Sequence, residues 1–130
     1  MDEEVYKTIS LKDLYARTGI QKAIYNTVYQ LMAVKKKHPE YLEQAETLLH
    51  VPDYFHFLLT GEKTCEYTEA TTGQLVCPTT KDWDYELIDM LGYPRKIFQK
   101  LIMPSTSIGH LTDAVKEAVC LLYTSDAADD

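Results

Sequence analysis

Glycine and proline divide this chain into short segments, and this division limits the possible folds more than any other feature of the sequence. Gly19, Gly61 and Gly92 each follow a stretch whose apolar residues have helical spacing, where a glycine commonly ends a helix. Pro39 and Pro94 stand where a helix can begin, since a proline in the first position gives up no intrahelical hydrogen bond. The sequence therefore predicts a series of short helices.

The stretch from Thr27 to Lys37 is predicted to be a helix because its apolar residues fall mainly on one face. Thr27 and Gln30 have the spacing of a capping box, in which each side chain satisfies a free backbone amide of the other residue. The three lysines that end the stretch lie where cations meet the negative end of the helix dipole. This position explains the only basic run of the chain.

Pro39 begins the next predicted helix, whose buried stripe consists of Leu42, Ala45, Leu48 and Leu49. Pro52 interrupts it, and Asp53 is predicted to cap a further helix, "YFHFLLT", which ends at Gly61. This segment is hydrophobic nearly all round, so we expect it to be buried on more than one side.

The second half of the chain is predicted to contain a few short strands. After Gly61, the pieces "TCEYTEA" and "QLVC" lack a helical stripe and are rich in threonine and other strand-forming residues. Asp84 is predicted to cap a helix that Gly92 ends, and Pro94 to open a last short helix. Residues 107 to 111 are a possible further strand. The fold class is α-rich α/β, with mostly helices and a few short strands.

Composition places the chain in the globular class. Its 130 residues, of which 45% are hydrophobic, suffice for one small domain with a packed core. The net charge of −7 argues against binding to nucleic acid, which needs a basic face. No apolar stretch approaches the roughly 20 residues that cross a bilayer, and the start "MDEEVYK" is acidic where a signal peptide is basic. We expect a soluble, cytoplasmic protein without a membrane partner.

Residue patterns for phosphate or metal binding are missing from the sequence. A phosphate-binding loop needs clustered glycines, whereas every glycine of this chain stands alone. His50 and His56 are six residues apart and would not share a helix face as metal ligands. We therefore predict no metal site and no cofactor-binding residue in this chain.

Two further patterns allow a functional and a structural interpretation. Asp82 and Asp84 flank Trp83, and paired carboxylates suggest acid–base chemistry, but a helix cap beside a core tryptophan is the stronger explanation. The three cysteines are odd in number and far apart, so we expect free thiols; they are Cys65, Cys77 and Cys120.

A series of motifs in one order resembles the rhamnulokinase branch of the FGGY sugar kinases. The motifs are "LYARTGIQ", "NTVYQL", "LLHVPDYFHFLLTG", "EYTEATTGQLV", "DWDYELIDMLGYP" and "IMPSTSIGHL", and they extend from Leu14 to Leu111. The resemblance implies part of a ribonuclease H-like or actin-like ATPase domain. It also implies an enzyme that uses ATP and Mg²⁺ to phosphorylate the 1-hydroxyl of L-rhamnulose, with an aspartate as the base.

The resemblance also implies that the sequence is a fragment. The family's phosphate loop should precede residue 1, and its "HD" motif with the catalytic base should follow Val119. Residues 1–119 are then part of the N-terminal FGGY kinase domain, and Met1 is an internal methionine of the complete protein. Residues 120–130, "CLLYTSDAADD", do not continue the pattern and are predicted to be a non-native tail. We expect this chain alone to be inactive and to bind neither ATP nor Mg²⁺.

Three residues are the candidates for contact with the sugar. In the family, the segment after the Thr18-Gly19 step lines the sugar side of the cleft, and the glycerol-kinase branch has a polyol-contacting tyrosine at the position of Tyr25. The resemblance therefore implies substrate binding by Gln21, Tyr25 and Asn26, and no catalytic residue in this chain. Their structural alternatives are a polar loop residue, a half-buried aromatic ring and a helix cap.

Two other functions stay open from the sequence. The partner implied for the complete enzyme is a small-molecule ketose, but the parent protein could be another FGGY kinase that acts on a different sugar or polyol. Alternatively, the chain could be a small helical module whose apolar helices bind a partner protein; the hydrophobic segment "YFHFLLT" suggests this.

Overall fold

The structure of this chain is a computed structural model that describes residues 1–119. In these residues the helices are α1 (Asp2–Tyr6), α2 (Leu11–Thr18), α3 (Thr27–Lys37), α4 (Pro39–Gln44), α5 (Val51–Thr60), α6 (Tyr67–Thr71), α7 (Tyr85–Leu91) and α8 (Asp113–Ala118). The strands are β1 (Cys65–Glu66), β2 (Val76–Cys77), β3 (Asp82–Trp83) and β4 (Leu101–Ile102), and a 3₁₀ turn spans Arg95–Ile97.

The strands form two small sheets. Strand β1 pairs in parallel with β4, and β2 pairs antiparallel with β3. The register places Cys65 opposite Leu101 and Glu66 opposite Ile102 in the first sheet, and Val76 opposite Trp83 and Cys77 opposite Asp82 in the second. The prediction of an α-rich chain with a few short strands is confirmed.

The helix ends that depend on local sequence are as predicted. Gly19 and Gly92 follow α2 and α7 in the left-handed conformation, with φ of 68° at each residue. Asp84 caps α7, because its Oδ1 accepts a hydrogen bond from the backbone N–H of Leu87 at 3.0 Å. Each of these ends needs only neighbouring residues, so the sequence pattern was sufficient.

The predicted capping box at the start of α3 is wrong. The residue in the N-cap position is Asn26, whose side chain makes no capping hydrogen bond. Thr27 Oγ1 lies 3.1 Å from His50 Nε2, and Gln30 Nε2 donates to the carbonyl oxygen of Tyr25 at 2.5 Å. A histidine from a distant part of the chain thus replaces the local partner of Thr27.

The predicted boundary between α4 and α5 is also wrong. Helix α4 ends before Ala45, and residues 45 to 50 belong to no helix or strand. The backbone N–H of Leu48 donates to the carbonyl oxygen of Ile97 at 2.8 Å instead of to a helix carbonyl. Pro52 does not precede α5 but lies in its first turn, where it gives up no intrahelical bond. Asp53 is therefore a buried residue inside the helix rather than its cap.

Three predictions for the second half are corrected. The predicted strand "TCEYTEA" is a strand only in β1, after which Glu66 caps α6 by accepting from the backbone N–H of Glu69 at 3.0 Å. Pro94 precedes a 3₁₀ turn and not an α-helix. Residues 107–111 form no strand, and Thr112 instead caps the unpredicted helix α8.

The core contains buried apolar side chains from α1, α2, α3, α4, α6 and α7 and from both sheets. Its fully buried apolar side chains include those of Val5, Leu14, Val28, Leu75, Leu87 and Ile88. Polar groups at its edge are paired: Trp83 Nε1 donates to the carbonyl oxygen of Gln99 at 2.6 Å, and Tyr93 Oη to that of Val28 at 2.6 Å. The structural interpretation of Trp83 as a core residue is confirmed.

Helix α5 is not buried in the way that its composition predicts. Asp53 is its buried residue, while five of its apolar side chains are between 43% and 69% exposed. We call these residues the α5 face; they are Val51, Tyr54, Phe55, Leu58 and Leu59. None of the helices in residues 1–119 is long and apolar enough to cross a membrane.

Two of the cysteines are free thiols, as predicted. Cys65 is buried and its Sγ donates to the carbonyl oxygen of Leu48 at 3.4 Å, and burial raises the pKa of this thiol to about 12. Cys77 is also free, and Cys120 lies outside the described residues.

Candidate functional site

The loop between α2 and α3 is held in place by side-chain amides. Residues 19–26 contain no regular structure apart from a turn, so their backbone carbonyl groups need other partners. Three amide side chains supply them: Gln74 Nε2 donates to Ile20 at 2.7 Å, Asn26 Nδ2 to Gln21 at 3.1 Å and Gln30 Nε2 to Tyr25 at 2.5 Å. The loop that carries the predicted sugar-binding residues is therefore well ordered by hydrogen bonds.

The three predicted residues line one cavity. Its volume is about 360 Å³, and its lining residues are Ile20, Gln21, Lys22, Ala23, Tyr25, Asn26 and Thr72. Tyr25 is 74% exposed, whereas Asn26 is only 4% exposed. The structure thus brings Gln21, Tyr25 and Asn26 together around a space that can hold a small molecule.

The structure contradicts the structural alternative for Tyr25 and agrees, at least in position, with those for Asn26 and Gln21. Tyr25 is not a half-buried aromatic ring, because most of its surface is open to solvent. Asn26 does stand in the N-cap position of α3, but its side chain bonds the Gln21 carbonyl instead of a helix amide. Gln21 is an exposed loop residue, as its structural alternative states, and it also lines the cavity.

Lys22, a charged residue that lines this first cavity, is paired with an aspartate. Lys22 Nζ lies 2.6 Å from Asp2 Oδ2 and 5.3 Å from the centre of the Tyr6 ring. The hydrogen bond from Lys22 lowers the pKa of Asp2 to about 2, so the aspartate stays ionised at neutral pH. The cavity is therefore better suited to a neutral ligand than to an anion.

Tyr25, Asn26 and Thr72 also line a second cavity. Its volume is about 380 Å³, and the additional lining residues are Thr27, Gln30, Leu48, Leu49, His50, Val51 and Glu69. No local pattern marks these residues as one site, since they come from three separate segments of the sequence. Only the packing of α3, α6 and the residues before α5 brings them together.

A chain of three polar side chains lies at the edge of the second cavity. Asp53 is 0% exposed, and its Oδ2 lies 3.6 Å from His50 Nδ1. The other ring nitrogen of His50, Nε2, lies 3.1 Å from Thr27 Oγ1. These contacts join the first turn of α5 to the first residue of α3.

The arrangement suits a neutral ligand with many hydroxyl groups. Amide, hydroxyl and imidazole groups supply both donors and acceptors, and the exposed ring of Tyr25 offers an apolar surface on which a sugar ring can rest. Residues 1–119 contain no group of three His, Cys, Asp or Glu side chains that could hold a metal ion.

The aspartates beside Trp83 take no part in this site. Both oxygens of Asp84 accept hydrogen bonds from Arg17, at 2.8 Å each, and Arg17 lowers the pKa of this carboxyl group. Asp84 also caps α7. Its geometry supports the structural interpretation of the Asp82 and Asp84 pair over the acid–base one.

The fold is shared with solved sugar kinases. A xylulose kinase from Rhodospirillum rubrum superposes with a TM-score of 0.82 at 18% identity, covering 94% of this chain and 25% of that chain. A gluconate kinase from Lactobacillus acidophilus gives a TM-score of 0.81 at 23% identity, covering 91% of this chain and 24% of that chain. The fold class is therefore the ribonuclease H-like, actin-like one that the sequence predicts.

Sequence comparison identifies the family. The model of the FGGY family of carbohydrate kinases, N-terminal domain, matches residues 1–124. A rhamnulokinase from Halalkalibacterium halodurans is 48% identical over 117 residues, which are 90% of this chain and 25% of that protein. One from Pectobacterium atrosepticum is 46% identical over 99 residues, which are 76% of this chain and 20% of that protein.

The chain belongs to the FGGY family of carbohydrate kinases. It spans about a quarter of the length of the first curated relatives that it matches. The prediction that residues 120–130 are a non-native tail concerns residues outside those that the structure describes, and it stays a prediction.

Proposed function

We propose that this chain is part of an ATP-dependent kinase that phosphorylates L-rhamnulose in the breakdown of rhamnose in the cytoplasm. The 1-hydroxyl oxygen attacks the γ-phosphorus of ATP and loses its proton to a base, while the bond to ADP breaks. The observation that carries the proposal is the 48% identity to a rhamnulokinase over 117 residues that include both cavities.

Within that enzyme, we assign to this chain the binding of the ketose. Tyr25 would stack on the sugar ring, and Gln21 and Asn26 would bond its hydroxyl groups. The support is that all three line one cavity, and that Tyr25 is exposed while Asn26 is fixed by its bond to the Gln21 carbonyl. A ligand held in this way is oriented for reaction before the phosphate arrives.

The described residues do not fit ATP or Mg²⁺. They offer no cluster of carboxylates for a metal ion, and the isolated glycines of the sequence cannot form a phosphate cradle. We therefore assign no step of phosphoryl transfer to these residues. The base and the nucleotide site would belong to parts of the longer enzyme that the family resemblance implies, and the chain alone should not turn over substrate.

A chimeric enzyme tests this proposal. Residues 1–119 of this chain would replace the matching segment of the Halalkalibacterium halodurans rhamnulokinase. We expect the chimera, but not the 130-residue chain alone, to produce ADP from ATP when L-rhamnulose is present. A folded chimera that phosphorylates xylulose or glycerol but not L-rhamnulose would instead favour another FGGY kinase.

The site assignment is tested in the same chimera. Tyr25→Ala should raise KM for the sugar about tenfold, which corresponds to about 1.4 kcal/mol, and leave KM for ATP unchanged. Tyr15→Ala is the matched control, because Tyr15 is also an exposed tyrosine, at 55%, but lines neither cavity. Equal sugar kinetics in both variants would reject the role of Tyr25.

The second candidate function is a module that binds a partner protein. The observation in its favour is the α5 face, on which Tyr54, Phe55 and Leu58 are about half exposed. Reading the source DNA on both sides of this sequence would separate the two functions. A continuous frame that encodes a glycine-rich phosphate loop and an "HD" motif favours the kinase and contradicts the module.

A further inference from the structure

Asp53 is a fully buried carboxylate that the proposed function does not use. Its Oδ1 accepts a hydrogen bond from the backbone N–H of Glu66 at 3.1 Å, which ties α5 to β1. Its Oδ2 has no hydrogen-bond partner within residues 1–119. Burying a carboxylate oxygen without a hydrogen-bond partner costs free energy. The role of this oxygen therefore depends on the polar group nearest to it.

That neighbour is His50, whose Nδ1 lies 3.6 Å from Asp53 Oδ2. This nitrogen is also buried and has no other hydrogen-bond partner among the described residues. The two atoms are therefore the natural partners of each other, and a small rotation of the ring would close the distance to a hydrogen bond. An ionised carboxylate beside Nδ1 favours the tautomer that carries its proton there.

With its proton on Nδ1, His50 presents a lone pair at Nε2. Thr27 Oγ1 lies 3.1 Å from this nitrogen and can donate its hydroxyl proton to it. Thr27 is the first residue of α3 and follows directly after Tyr25 and Asn26. The carboxylate therefore acts on the start of α3 through the imidazole ring.

We propose that Asp53 is a positioning residue for the second cavity, which fixes Thr27 through His50 and thereby holds Tyr25 and Asn26 in place. The three contacts join α5 to α3 beside the cavity wall that His50 and Thr27 themselves form. As a role in sugar binding, the inference rests on the proposed function; as a relay that sets the tautomer of His50, it stands on the geometry alone.

The first test measures the tautomer of His50 in the full 130-residue chain. Long-range ¹⁵N–¹H correlation spectra at about pH 8, above the ordinary histidine pKa of about 6.5, show which ring nitrogen carries the proton. We expect Nδ1–H in the wild type and a mixture of tautomers in Asp53→Asn. A wild-type ring with its proton on Nε2 would overturn the proposal without any variant.

The second test measures amide hydrogen exchange at Val28 and Tyr29, whose N–H groups bond the carbonyls of Gly73 and Asn26. Asp53→Asn should accelerate exchange at both amides about tenfold. His56→Gln is the matched control, because its Nδ1 is also buried without a partner in the described residues but lines neither cavity. Unchanged exchange in Asp53→Asn would contradict the proposal.

Thr27→Val keeps the test decisive if Asp53→Asn fails to fold. This variant removes only the last contact of the relay, so His50 should keep its proton on Nδ1 while exchange at Val28 and Tyr29 accelerates. The same exchange rates as in the wild type would show that the relay does not hold the start of α3.

Titration with L-rhamnulose separates this inference from the proposed function. We expect shifts at Tyr25 and Asn26 in the wild type, an affinity about tenfold weaker in Asp53→Asn, and wild-type affinity in His56→Gln. If L-rhamnulose causes no chemical-shift changes in a wild type that shows the expected tautomer and exchange rates, sugar binding is rejected but the relay stands. Equal affinity in the wild type and Asp53→Asn would reject the positioning role while sugar binding stands.

Discussion

Helices α5 and α7 are both short and apolar, and a left-handed glycine follows each, yet they are packed in opposite ways. Helix α7 places Leu87, Ile88 and Leu91 in the core with almost no exposed surface. Helix α5 buries Asp53 and leaves the α5 face in contact with solvent. Hydrophobic content alone therefore does not say which helix a core will cover.

The difference lies in how the apolar residues are distributed around each helix. In α7 the three buried apolar residues share one face, while the exposed positions carry Glu86, Asp89 and a single apolar residue, Met90, so packing on one side covers most of the apolar surface. In α5 apolar residues surround the helix, and neighbours on one side cannot cover them all. Each buried leucine contributes about 2 kcal/mol, so we expect the two helices to contribute very differently to stability.

The largest effect should follow from shortening a core side chain of α7. Leu87→Ala removes methyl groups from a fully buried position and should lower the free energy of unfolding by about 2 to 5 kcal/mol. Leu58→Ala on the α5 face should cost less than about 1 kcal/mol. Urea denaturation of both variants measures this contrast, and equal losses would remove the distinction between the two helices.

The cap of α7 gives the next largest effect, and this effect depends on pH. Asp84→Ala removes the cap and leaves Arg17 with only the exposed Glu86 as an acidic partner, which should cost about 2 kcal/mol at pH 7. Since the pKa of Asp84 is lowered in the folded chain, its contribution is complete above the unfolded pKa of about 3.9 and is lost as pH falls through the folded value.

Urea denaturation at several pH values between 7 and 3 tests this dependence. The difference in unfolding free energy between the wild type and Asp84→Ala should stay constant down to about pH 5 and shrink below about pH 4. Asp89→Ala is the control, because Asp89 also lies in α7 and pairs with Arg95 but is exposed, and it should change stability less. A difference that grows in acid would contradict the role of the ionised Asp84.

The glycines that follow the two helices should differ by a smaller amount. Alanine at either position is strained by about 1 kcal/mol, because φ is 68° at Gly92 and 77° at Gly61. A methyl group at Gly92 would also collide with Lys35 Nζ, which donates to the carbonyl oxygen of Leu91 at 2.7 Å, while at Gly61 it has space.

Thermal unfolding of Gly92→Ala and Gly61→Ala measures this difference. We expect Gly92→Ala to be the less stable of the two by about 0.5 to 1 kcal/mol, the contribution of one hydrogen bond. If Gly61→Ala proved the less stable, space around the end of α7 would not be what matters.

These helices also show how much of the fold the sequence could predict. The bounds of α3 and the cap and end of α7 were predicted, because a cap and a terminal glycine are decided by residues next to each other in sequence. The partner of Thr27 was not, since His50 lies 23 residues away. Leu48 lies outside the helix that its spacing predicts and bonds Ile97 instead, and no local pattern contains that information.

The candidate site also has one part that the sequence predicts and one part that it does not. Gln21, Tyr25 and Asn26 lie within six residues of one another, so a resemblance at one motif was enough to group them, and they do line one cavity. The additional residues of the second cavity, such as His50 and Glu69, come from segments that only the packing of α6 brings near. The composition of this second wall could not be predicted without the fold.

The smallest effect on stability should come from placing a charge on the α5 face. Phe55 is 57% exposed, so Phe55→Glu should change the free energy of unfolding by no more than about 0.5 kcal/mol. A charge in the middle of an apolar patch should nevertheless weaken association between copies of the chain and reduce the binding of a hydrophobic dye.

Tyr15→Glu is the matched control, since Tyr15 is equally exposed, at 55%, but lies on α2. Sedimentation velocity over a range of concentrations separates the two variants. If Phe55→Glu associates as strongly as the wild type, the α5 face does not drive association between copies of the chain. The contrast between α5 and α7 would then concern stability alone.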